Sequence, residues 1–101
     1  MMKRVHSSDH TRDVAEQIGQ QGLLFLAEDP VRLQQFLTKT GLDPGDLYAR
    51  AGTADILAAV LEHLLADESQ LLVFTATADI EPIRVAEASR ILSGASLGDG
   101  A

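Results

Sequence analysis

The chain has no cysteine and no tryptophan among its 101 residues, and its aromatics are limited to Tyr48, Phe25, Phe36 and Phe74. Without thiols there is no disulfide, no thiolate nucleophile, no iron–sulfur cluster and no Cys-ligated zinc. With so few aromatics the core must be built from Leu, Ile, Val and Ala, and an apolar content of 46% is too high for a disordered chain. Basic side chains are missing from a long stretch: no Lys or Arg lies between Arg50 and Arg84, whereas Asp55, Glu62, Asp67, Glu68, Asp79 and Glu81 all do. With a net charge of −7, such a field repels phosphate backbones and attracts basic surfaces. A basic protein is therefore an expected partner and nucleic acid is not. Long apolar runs are also absent. Crossing a bilayer takes roughly 18 to 20 apolar residues, and the richest stretch, Ile56 to Leu65, is broken by Glu62 and His63, so no membrane span is expected. The opening "MMKRVHSSDHTRD" has no apolar leader region, which makes the cytoplasm the expected location.

A chain of this length closes one hydrophobic core rather than two. The patterning predicts an all-α fold, a compact bundle of five or six short helices. Residues 1–8 are expected as a flexible tail, 9–94 as a single helical domain and 95–101 as a second flexible tail. Ser8 or Asp9 can cap a first helix running to about Ala27, with Val14, Ala15, Ile18, Gly22, Phe25 and Leu26 on its apolar face. Leu24 falls on the polar side. Gly19 and Gly22 near the apolar stripe each cost about 1 kcal/mol in a helix, which implies that another backbone passes close by.

Three stretches, "AEDPVRL", "GLDPGDL" and "DIEPIRV", share one grammar. Asp29, Asp43 and Glu81 stand where an N-cap belongs, and Pro30, Pro44 and Pro82 follow at the first helical position. The prolines are separated by 14 and then 38 residues, so these are helix starts rather than a repeat. Helices are predicted from Pro30 to Lys39, stopped by Gly41, and from Pro44 to about Ala51, closed by Gly52. Thr53 caps a helix whose Ile56, Leu57, Val60, Leu61, Leu64 and Leu65 form the centre of the core. Asp67 and Gln70 form a capping box for a fifth helix, in which Leu71, Leu72, Phe74, Thr75 and Ala78 face inward despite the strand propensity of Val73, Thr75 and Thr77. A sixth helix, Pro82 to about Ser93, buries Val85, Ala88 and Leu92.

Chemical motifs are scarce. His63 and Asp67 share a helical face, but two ligands do not make a zinc site, so neither a metal site nor a cofactor is expected. Glu62, Asp67 and Glu68 could supply a carboxylate pair, yet capping and surface charge explain each of them, and there is no P-loop, G-x-S-x-G or G-x-G-x-x-G. No catalytic residue is assigned, and the chain is read as not an enzyme. The segment "FLTKTGLDPGDLYARAG" has helix-turn-helix spacing, but Asp43 and Asp46 stand against the single Arg50 on its second helix. The preferred reading is a protein-interaction or adaptor module with Asp55, Glu62, Glu68, Asp79 and Leu24 as candidate partner-binding residues. A helix-turn-helix DNA-binding regulator is the alternative, and a small enzyme or metal binder is the third.

The order "FLAEDP", "GLDP" and "HLLADESQLL" resembles a family of short alphaproteobacterial proteins known only as a domain of unknown function. The similarity runs from about Asp13 to Leu92. It implies a small bacterial helical protein and carries no catalytic residue, cofactor or partner onto any position.

Overall fold

The computed structural model describes the backbone of residues 6–98 and the side chains of residues 11–94. Six helices follow one another: α1 (His6–Ala27), α2 (Pro30–Thr40), α3 (Pro44–Arg50), α4 (Ala54–Leu65), α5 (Glu68–Ala78) and α6 (Pro82–Gly98). No strand occurs among the described residues, and the fold is an all-α bundle.

The starts obey local capping chemistry. Asp29 accepts from the Val31 N–H at 2.9 Å and Asp43 from the Asp46 N–H at 2.9 Å, each followed by its proline in the first turn. Thr53 accepts from the Ile56 N–H at 3.4 Å, and Asp67 from the Gln70 N–H at 3.3 Å, while Gln70 Nε2 reaches back to Asp67 Oδ2 at 3.3 Å. Glu81 departs from the pattern: its backbone carbonyl accepts from the Arg84 N–H at 2.9 Å, and its carboxylate caps nothing among the described residues. Glu is one methylene longer than Asp and is not a favoured N-cap. Gly41 ends α2 in the left-handed region at φ 76°, its N–H donating to the Leu37 carbonyl. Gly52 has no such role, because α3 ends on Ala51 in the right-handed region.

Two boundaries are wider than the sequence suggests. α1 begins at His6, so Ser8 and Asp9 lie within the helix instead of before it, and α6 continues past Ser93 to Gly98. Elongation adds one hydrogen bond per residue once a helix is nucleated, and neither segment contains a proline to stop it. The remaining parts of the two expected tails, residues 1–5 and 99–101, lie outside the described residues.

Helices α1, α4 and α6 pack mutually and form the centre, with α2 and α5 lying against α1 and α4. Leu57, Val60, Leu61 and Leu64 of α4 are fully buried, as are Leu26, Val85 and Leu92 from the neighbouring helices. The approach of α1 to α4 depends on two glycines. A methyl group on Gly19 would stand 2.8 Å from Leu57 Cβ and 3.2 Å from Leu92 Cδ1. One on Gly22 would meet Val60 Cγ1 at 3.0 Å and both Leu61 Cδ2 and Leu64 Cδ1 at 3.2 Å. What comes close is the set of α4 and α6 side chains, not another backbone.

α5 is helical throughout. Thr75 satisfies its buried hydroxyl by donating to the Leu72 carbonyl at 3.1 Å, which makes a strand-favouring residue compatible with a helix interior. Phe74 and Thr75 are buried, but Leu72 turns out to solvent at 51% exposure, contrary to its expected inward position. Leu72 lies 100° from Val73 and 200° from Phe74 on the helical wheel, and the bundle covers only the side centred on Phe74 and Thr75. For the same reason Val14, at the margin of the α1 stripe, is 37% exposed, and Leu65 is only half-buried.

Leu61→Ala should lower stability by roughly 2 to 5 kcal/mol, and Leu65→Ala by distinctly less. Denaturant titration of both variants checks the order. Gly19→Ala gains about 1 kcal/mol of helix propensity but collides with the stem of Leu57, so net destabilisation is expected. Gly94→Ala has nothing within 4 Å of the added carbon and should stabilise by up to about 1 kcal/mol. Thermal melts of this pair in opposite directions are the expected result.

Candidate functional site

The four candidate carboxylates do not converge. Asp55 Oδ2 accepts from Arg50 Nη2 at 3.2 Å and ties the α3–α4 corner together. Glu62 Oε2 accepts from Ser93 Oγ at 3.2 Å and joins α4 to α6. Glu68 sits in the first turn of α5, where its charge complements the helix dipole. Asp79 occupies the left-handed C-cap of α5 at φ 58°, ψ 48°, a conformation that Asp tolerates better than most residues. Glu68 and Asp79 are thus at opposite ends of α5, about 16 Å apart by helical rise. Each of the four has a local structural task.

Leu24 stands apart from these. At 63% exposure it flanks a groove of about 200 Å³ between α1 and α5, whose floor is Phe25 and Phe74. The two rings pack at 5.4 Å with a 53° tilt. Gln21 and Glu28 continue the α1 wall, and Thr77 and Ala78 form the α5 wall, with Asp79 next in the chain. The Arg32 guanidinium lies 4.1 Å from the Phe25 ring centroid, and its Nε is 3.8 Å from Asp29 Oδ2. Val73, 47% exposed, is one turn from Thr77 and extends the apolar margin. Neither Glu28 nor the pairing of Phe25 with Phe74 was visible in the sequence, because residues so far apart along the chain meet only through the docking of α5 on α1.

His63 is the second notable position. His63, polar within the richest apolar stretch, is buried to 9% exposure, edge-on to Phe36 at 5.4 Å between ring centroids and 76° between planes. Its position three residues after Val60 on the apolar arc was the available signal. The Nε2 atom is buried without a hydrogen-bond partner, as is Gln70 Oε1 nearby in sequence on α5. Gln70 Nε2 meanwhile donates to Gln35 Oε1 of α2 at 3.2 Å. Burial pushes the His63 pKa below its ordinary value of 6.5, Lys39 pushes it further down, and Asp67 partly opposes them. No group of three or more His, Asp or Glu is placed to hold a metal ion among the described residues. No described helix is long and apolar enough to cross a membrane.

On the second helix of the helix-turn-helix-like segment, the single cation Arg50 is engaged by Asp55, and Tyr48 points outward at 89% exposure. Among the described residues the structure is therefore a small six-helix globule with an aromatic-floored groove between α1 and α5 and a buried imidazole at His63. Residues 12–95 match the family described as Protein of unknown function (DUF3572), and the chain belongs to that family. No curated protein and no solved structure matches it.

The sign of the pH effect follows from the lowered His63 pKa. Between the folded value and about 6.5 the unfolded chain binds more protons, so stability is full above about pH 6.5 and falls as the pH drops through the folded value. His63→Leu removes that titration and leaves no hydrogen bond broken at Nε2. Melting temperatures measured from about pH 7.5 to about pH 5 should decline more steeply in the parent protein than in the variant. Equal slopes would assign the acid sensitivity to other groups.

Proposed function

We propose that the protein is a non-enzymatic interaction module that docks a basic segment with an apolar face along the α1–α5 groove. The carrying observation is Leu24, an exposed aliphatic beside a groove floored by Phe25 and Phe74. Exposed leucines are common singly, but one that continues an aromatic-floored concavity presents a contact surface. The groove volume of about 200 Å³ is below the roughly 300 to 1,000 Å³ of small-molecule pockets, which favours side chains of a partner over a metabolite. Glu28 on one wall and Asp79 at the end of the other supply negative charge at the margin, within a chain whose net charge is −7. An amphipathic helix carrying Lys or Arg beside its apolar stripe has the matching chemistry.

This reading narrows the acidic-surface expectation. Asp55 and Glu62 are bonded within the bundle, so they contribute to the long-range field that speeds encounter and not to the contact itself. A bacterial, cytoplasmic setting belongs to the same proposal, as does the absence of nucleic acid among its partners. Arg50, the cation that a DNA-reading α3 would need, faces Asp55 instead.

The test is a titration of the isotope-labelled protein with a basic amphipathic helical peptide and with an acidic peptide of identical apolar pattern. The basic peptide should shift resonances of Leu24, Thr77 and Ala78, and its binding should weaken as salt rises. Leu24→Asp should weaken it at least about tenfold without lowering the melting temperature, because the side chain is mostly solvated. The double change Glu62→Lys, Glu68→Lys should slow association while leaving the bound-state shifts unchanged. Binding indifferent to Leu24→Asp, or equal for the two peptides, would remove the groove as the contact.

A further inference from the structure

A second groove lies on the other side of α1, where it meets α6. Its floor is Ala15, Ile18 and Ala88, and it encloses about 170 Å³. Val14, 37% exposed, and Ile91 border it, and Ile83, 57% exposed, continues the apolar strip one turn before Glu87. Two charged side chains, Arg84 and Glu87, line the same groove. They are one turn apart on α6, yet neither has an ion pair or a hydrogen-bonded side-chain partner among the described residues. Arg12, by contrast, pairs with Glu16 at 3.8 Å along α1.

An apolar strip bearing one unpaired cation and one unpaired anion, a turn apart, is its own complement under a two-fold rotation. We propose that this face is the contact between two copies of the chain, with their α6 helices antiparallel across an axis between Arg84 and Glu87. Arg84 of each copy then meets Glu87 of the other, so a single operation forms two ion pairs. The same register brings Ile83 of each copy over the other's groove and removes Val14 and Ile91 from water. A partner with a surface of one charge sign would satisfy only one member of the pair and repel the other. A second copy satisfies both and leaves no remainder, which is why it is the fitting occupant. The contact lies on a different face of α1 from Leu24, so it leaves the α1–α5 groove open in each copy.

Sedimentation equilibrium of the full chain from about 1 to about 300 µM at about 0.15 M salt tests the pairing. A reversible monomer–dimer equilibrium is expected. Arg84→Glu and Glu87→Arg should each weaken it by more than about tenfold, because each places like charges opposite one another. The combined swap Arg84→Glu, Glu87→Arg should return it to within about threefold of the parent. Ile83→Asp, an independent change on the strip, should also give monomer, and circular dichroism should report all of these variants as folded, since Arg84 and Ile83 are exposed. Leu24→Asp should leave the dimer intact, which separates this contact from the docking groove. A parent protein that is monomeric across the whole range overturns the proposal. So does a dimer that tolerates both single charge reversals, that is not restored by the swap, or that Leu24→Asp abolishes.

Discussion

The close contact of α1 with α4 is the constraint on which the remaining architecture depends. Two glycines a turn apart let the α4 leucines press against the α1 backbone, and Leu92 of α6 closes on the same spot beside Gly19. Any larger residue at Gly19 would push directly on Leu57 Cβ, an atom that cannot rotate away because it is fixed to the α4 backbone. The helix tolerates the loss of propensity at both positions because the burial they permit is larger. Leu57, Val60, Leu61 and Leu64 are all fully enclosed, and each such side chain contributes about 1.5 to 3 kcal/mol on removal from water.

Peripheral features follow from that centre. Once α1 and α4 are set, α5 must lie across one side of them, which brings Phe74 onto Phe25, and α2 must cover the end of α4, which brings Phe36 onto His63. The groove beside Leu24 is the gap left where α5 diverges from α1. The buried imidazole is a consequence of covering that part of α4 with α2, and Lys39 on the covering helix adds to the lowering of its pKa. The two features differ in character: the groove leaves Leu24 and its aromatic floor at the surface, while His63 is enclosed against Phe36 with Nε2 unpartnered.

The capping chemistry gives many of the acidic residues a local structural task. Asp29, Asp43 and Asp67 hold helix starts, Asp79 holds a helix end, Asp55 holds a corner and Glu62 an interhelical hydrogen bond. Within the stretch that lacks basic residues, Asp67 is met by a backbone N–H, Glu62 by a hydroxyl and Asp55 by the flanking Arg50. The chain's negative field is therefore spread along the surface and not focused on one site.

By itself the sequence determined the all-α class, the starts of α2 to α5 and most of the inward positions, while leaving the helix count at five or six, because caps, prolines and apolar periodicity act over three or four residues. It also marked Gly19 and Gly22 as places of close approach and Leu24 as an outlying leucine. Only tertiary structure decided which edge of each stripe was covered: Val14, Leu65 and Leu72 sit at margins where one further neighbouring helix would have buried them. His63 went the other way, since its own helix places it at the flank and α2 covers it. The pairing of Phe25 with Phe74, the groove it floors and the unpaired Arg84 and Glu87 depend on packing between helices distant in sequence. No local pattern encodes such packing, because it is set by the volumes of side chains meeting across the core.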